Sequence, residues 1–133
     1  MKSILAAYLA ALIAFVVVDL IWLATMADLI YRPLLGDKLA RRFRLTPVIA
    51  FYLIYAGGIV HFAVLPALNG GNVAAAALDG AALGLVAYTT YQFTNLGTLR
   101  DWPLSISLAD IVWGALLTAI ASTFSFWTVS QMT

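Results

Sequence analysis

The chain has 133 residues, 64% of them hydrophobic and 10% charged, with a mean hydropathy of +0.99 and a net charge of +1. Soluble domains carry about a quarter charged residues, so this composition belongs to an integral membrane protein and leaves no room for a soluble catalytic module. The absence of Cys excludes disulfides, thiolate nucleophiles and thiolate metal sites, and basic residues set beside apolar runs give no support to nucleic-acid binding.

Crossing a bilayer takes about 20 mostly apolar residues, and four runs qualify, at 3–26, 47–68, 73–96 and 104–129. The expected fold is all-α: a bundle of four transmembrane helices forming one domain over 1–133, with short connections. Lys2 and the run after it also imitate a secretory signal with a cleavage site near Ala24–Ala27; the length of the run, Asp19 and Trp22 favour a span. Span one begins Ala-rich, which lets a neighbouring backbone approach. Its stripe Tyr8, Ala11, Phe15, Asp19 and Trp22 should face protein, because a charge there is costly in lipid.

The connection at 28–46 holds Arg32, Lys38, Arg41, Arg42 and Arg44. With Arg100, these are six of the seven basic residues on one side of the membrane, which is assigned to the cytoplasm, so both termini are expected to be periplasmic in an inner membrane. Leu35, Leu39 and Phe43 recur every fourth residue with cations between them, which suits a short helix on the anionic leaflet; a solvated basic loop fits as well. Thr46-Pro47 reads as a cap and first turn of span two. Gly57 and Gly58 permit packing or a bend, Pro66 bends or ends the helix, and Asn69-Gly70-Gly71-Asn72 turns the chain back.

Span three carries Gly80 and Gly84, a small-xxx-small pair, followed by Tyr88, Tyr91 and Asn95 on what the spacing makes the same face. That order should pinch the bundle outward of Tyr88 and widen it inward. Trp102-Pro103 anchors the next turn and opens span four, whose polar stripe is Ser107, Asp110, Gly114 and Thr118, with Trp113 beside it. The Ser/Thr-rich stretch from Ser122 onward reads as the chain leaving the membrane.

At about 1.5 Å per residue, Asp19 lies roughly 10 Å and Asp110 roughly 9 Å from the cytoplasmic ends of their spans. Tyr52, Tyr55, Tyr88, Tyr91, Gln92 and Asn95 share that layer. Asp19-x-x-Trp22 and Asp110-x-x-Trp113 each set an indole one turn after a carboxylate. Carboxylates and aromatic rings around a polar floor suit an amphipathic ligand, and a lock holding four apolar helices in register uses the same groups. Farther out, His61 and Asp79 reach similar depths and should hydrogen-bond; no metal site or other cofactor is expected from a lone His.

The order Asp19-x-x-Trp22-Leu23, Phe51-Tyr52-x-x-Tyr55, Pro66-Ala67, Tyr88-x-Thr90-Tyr91-x-x-Thr94-Asn95, Trp102-Pro103 and Asp110-x-x-Trp113-Gly114 resembles the bacterial domain-of-unknown-function 2177 family of small four-helix inner-membrane proteins. The resemblance covers nearly the whole chain and implies a fold without an activity. Members of that family usually carry Asp at the position of Gln92, so it carries over a hydrogen-bonding group here and not a third acid.

The leading functional expectation is binding of a membrane lipid or other amphipathic small molecule by Asp19, Trp22, Tyr52, Tyr55, Tyr88, Tyr91, Gln92, Asn95, Asp110 and Trp113, in the cytoplasmic half of the bundle. Two further classes are proton-coupled transport by a homodimer, which the membrane-embedded acids would serve, and an accessory subunit whose glycine faces dock a larger membrane complex. No nucleophile-base triad is present, since Ser107 has no His at its depth.

Overall fold

Proline, glycine and asparagine decide where these helices stop, because hydropathy hardly varies within them. The computed structural model describes residues 2–26 and 45–132. Among them four helices are long and apolar enough to cross a membrane. These are α1 (Lys2–Met26), a second span that begins as α2 (Leu45–Ile59), then α3 (Val73–Thr98) and α4 (Leu104–Met132). No strand occurs in the described residues. The amphipathic stretch expected around Leu35, Leu39 and Phe43 lies outside them.

The second span is helical from Leu45, so Thr46 and Pro47 lie inside it rather than forming its cap. It continues through a π-helical turn (Val60–Val64) into a last α-turn (Leu65–Leu68). Pro66 accounts for the wide turn: it has no N–H to give, and its ring would crowd the carbonyl one α-turn earlier. Instead, the Leu65 N–H reaches back five residues to the Val60 carbonyl. The expected hairpin forms as read. Gly70 takes φ +102°, open to glycine without a steric penalty, and the Asn72 side chain caps α3 by accepting from the Ala75 N–H at 3.0 Å.

Antiparallel α3 and α4 form the main hairpin, and α1 lies along α4. Ser125 Oγ donates to the Ala7 carbonyl at one end of that contact and Trp113 Nε1 to Asp19 farther along, which fixes α1 antiparallel to α4. The second span covers α1 with α2 and meets α3 through its π-helical turn.

The seam between α3 and α4 is made of glycine. A side chain at Gly84 would run into the Gly114 carbonyl and the Ala115 Cα, and one at Gly80 into Ser122 and the Thr118 carbonyl. One turn further along α3 the Tyr88 ring fills the space where a side chain at Gly114 would lie. Close backbones followed by a large ring give the pinch and the widening expected from the order of small and bulky residues. Gly57 and Gly58 do less: a methyl on the first would only touch Tyr8, and the second has open space.

The polar stripe of α4 extends beyond its expected end. Ser107, Thr118, Ser122 and Ser125 are all fully buried, so Ser122 and Ser125 line the bundle rather than mark an exit from the membrane. Their hydroxyls are small enough to sit where helices touch, and in hydrocarbon such groups are kept inside protein. His61 and Asp79 are corrected too: both are exposed and no hydrogen bond joins them. The π-helical turn shifts His61 around its helix, and Asp79 stands a residue away from the Gly80 face that packs.

Because the Gly114 carbonyl and Ala115 Cα that face Gly84 are backbone, Gly84→Ala must separate two helices, and it should lower stability by about 1–3 kcal/mol. Gly58→Ala, with empty space around it, should instead be neutral or raise stability by about 0.5–1 kcal/mol through helix propensity. Unfolding titrations in mixed micelles distinguish the two, and equal losses would contradict the glycine seam.

Candidate functional site

The site starts from one carboxylate. Asp19 stands on the α1 face that also carries the buried Ala11 and Phe15, and both its oxygens are used. Tyr52 on α2 donates its hydroxyl to Oδ2 at 2.7 Å, and Trp113 on α4 donates Nε1 to Oδ1 at 3.2 Å. The Trp113 indole is held for this by Trp22 of α1, stacked at 4.3 Å with the planes 10° apart. The two Asp-x-x-Trp pairs thus meet across helices, the carboxylate of the first accepting from the indole of the second.

The second carboxylate is set by Gln92. Gln92 Nε2 donates to Asp110 Oδ2 at 2.6 Å, while its Oε1 accepts from Trp102 Nε1 at 2.9 Å and from Ser107 Oγ at 3.0 Å. An indole N–H can only donate and a carboxylate oxygen accepts, so the amide has one orientation that satisfies its neighbours. Gln92 is 2% exposed and Tyr91 58% exposed. The inward face of α3 therefore runs Ala76, Gly80, Gly84, Tyr88, Gln92, in steps of four, and not through Tyr91 as its spacing from Tyr88 suggests.

Behind these groups is an aromatic cluster. Phe15 meets Tyr52 and Tyr55 edge-on, Phe51 stacks on Tyr55, and Tyr55 meets Tyr88 edge-on. Thr118 gives its only proton to the Gly114 carbonyl at 2.7 Å, so the Tyr55 hydroxyl, 2.9 Å from Thr118 Oγ1, is the donor of that pair. Tyr55 is tied down twice.

Asp19 and Asp110 line the same cavity, of about 510 Å³, together with Tyr52, Tyr88 and Tyr91. Its remaining walls come from Leu23, the first turns of the second span and Ala87. Of the ten residues read from sequence as ligand-binding, these five line the cavity. Trp22, Tyr55, Gln92 and Trp113 stand behind it as supports. Asn95 is half-buried, and its Nδ2 is enclosed without a partner. Phe51 and Val48 were not expected at the site, although one helical turn back from Tyr55 and Tyr52 reaches them. Trp102, read as an interfacial anchor, is also part of the polar network.

Replacing Gln92 by Leu removes one partner from Asp110, Trp102 and Ser107 together, and should cost about 2–3 kcal/mol. Tyr91→Leu should cost under about 0.5 kcal/mol, as expected of a change away from the packed interior. Thermal unfolding of both variants checks which residue of the pair faces inward.

No curated protein and no solved structure matches this chain. A family model described as "Predicted membrane protein (DUF2177)" matches residues 4–127. With a match over nearly its whole length, and with the Tyr88–Asn95, Trp102-Pro103 and Asp110-x-x-Trp113-Gly114 runs inside it, the chain belongs to the domain-of-unknown-function 2177 family of predicted membrane proteins.

Proposed function

We propose that this protein binds a lipid or another amphipathic small molecule between its helices. The observation that carries the reading is the cavity of about 510 Å³, with apolar and aromatic walls and two carboxyl groups, lined by residues of the membrane-spanning helices. Ligand sites are concave and mostly apolar, with a few placed polar groups that fix orientation. The volume falls in the range of about 300–1,000 Å³ usual for small-molecule sites. A group that serves only to lock helices together has no need of empty space beside it, whereas Asp19 and Asp110 both border this cavity.

The orientation belongs to the same proposal. Arg32, Lys38, Arg41, Arg42 and Arg44 lie in the connection between α1 and α2, and the cavity is walled by Leu23 and Pro47 from the helix ends that this connection joins. By the positive-inside rule that end is cytoplasmic. The site then sits in the inner half of a cytoplasmic membrane, with both termini periplasmic.

Ala87→Phe projects a ring into the cavity without touching the hydrogen-bonded carboxylates. It should reduce any amphiphile that co-purifies in mild detergent by about tenfold or more while the unfolding midpoint stays near that of the native protein. Mass spectrometry of the extracted complex reads the outcome, and unchanged ligand content would overturn the proposal. The orientation has its own test. The chain has no Cys, so Ser130→Cys in intact cells should react with a membrane-impermeant maleimide and Ser105→Cys should not; the reverse pattern inverts the topology.

A further inference from the structure

The ligand class follows from what lines the cavity, granted the binding reading above. We propose that the cavity takes a cationic amphiphile, a long-chain amine or quaternary ammonium, with its positive head between Asp19 and Asp110 and its chain along Leu23 and Val48.

Three observations lead there. The first is charge. Among the described residues that line the cavity, two are carboxyl groups and none is Lys, Arg or His. An anionic headgroup would lose its hydration and face two acids with no cation among the described lining residues to answer it, which is unfavourable in a low dielectric. A cation moved to the same place gains an opposite charge from either acid. The second is the direction of the hydrogen bonds. Tyr52 gives its proton to Asp19 and Gln92 gives its amide to Asp110, so the strongest donors at the floor are aimed at the carboxyl groups. A phosphate or sulfate needs donors of that kind for itself, while a quaternary ammonium needs none.

The third is the wall. Phe51, Tyr52, Tyr88 and Tyr91 come from two helices and line the same cavity as the two acids. Ring faces are negative and hold cations, most effectively where water is excluded, and rings beside a carboxylate are the usual means of recognising quaternary ammonium groups. The rings beside the acids are braced. Phe51 stacks on Tyr55, which Thr118 fixes, and Tyr88 rests on Gly114. A pre-organised box loses little order on binding.

The test keeps the chain length of the ligand constant and changes only the head. Decyltrimethylammonium, decanol and decyl sulfate are titrated into the protein in dodecyl maltoside micelles, a host with no cationic head of its own. The signal is the change in indole fluorescence of the chain's four tryptophans, of which Trp113 donates to Asp19 and Trp22 stacks on Trp113. The cation should bind saturably, about tenfold or more tighter than the alcohol, as a desolvated cation–π and ion-pair site requires. The sulfate should fail to compete, and the double variant Asp19→Asn, Asp110→Asn should lose the preference. Equal binding of the three would overturn the cationic assignment and leave amphiphile binding standing. Tighter binding of the sulfate would also overturn it, and no saturable binding of any would remove both readings. The headgroup comparison is made on the native chain, so it decides the matter even if the double variant does not fold.

Discussion

The Asp19 carboxylate is the group on which the arrangement of the helices depends. In a bilayer there is no water to satisfy it, so it must find donors within the protein. It finds Tyr52 on one neighbouring helix and Trp113 on another. Two donors on two helices determine how α1 is rotated and how far along its neighbours it sits. Apolar packing cannot do this by itself, because lipid chains are as apolar as the leucines that would pack. The stacked indoles and the aromatic cluster around Phe15 then fill the space that this choice of rotation defines.

The glycine seam and the polar band are two parts of one device. Where α3 and α4 touch, Gly84 meets the Gly114 backbone and Gly80 meets Ser122 and the Thr118 carbonyl, leaving no room for a further side chain. One turn further along α3 Tyr88 takes the place of the absent side chain at Gly114, and beyond it Gln92 spans to Asp110, Trp102 and Ser107. The hairpin is therefore held tightly at one level and by hydrogen bonds at the next. Between these helices and α1 and α2 remains a cavity bordered by both acids. Carboxylates that only held the bundle together would have no need of space beside them, whereas Asp19 and Asp110 are half-buried and border it. Their position at the edge of a cavity is what turns a structural pattern into a candidate site.

Hydropathy, the Asn-Gly-Gly-Asn turn and the Trp-Pro turn settled the number and order of the spans, since each is a local signal along the chain. The common layer of Asp19 and Asp110 followed from counting residues along helices of known rise. The azimuth of each helix needed the assembled bundle. In a soluble helix, polar residues mark the outside; here both sides are apolar, so the pattern that would tell Gln92 from Tyr91 as the inward residue of α3 has almost no contrast. The bond from the Trp113 indole to the Asp19 carboxylate, the exposure of His61 and Asp79, and the burial of Ser122 and Ser125 have the same origin. Each depends on which face of a helix meets which neighbour, and in lipid that is decided by close packing and paired polar groups, which exist only once the helices are together.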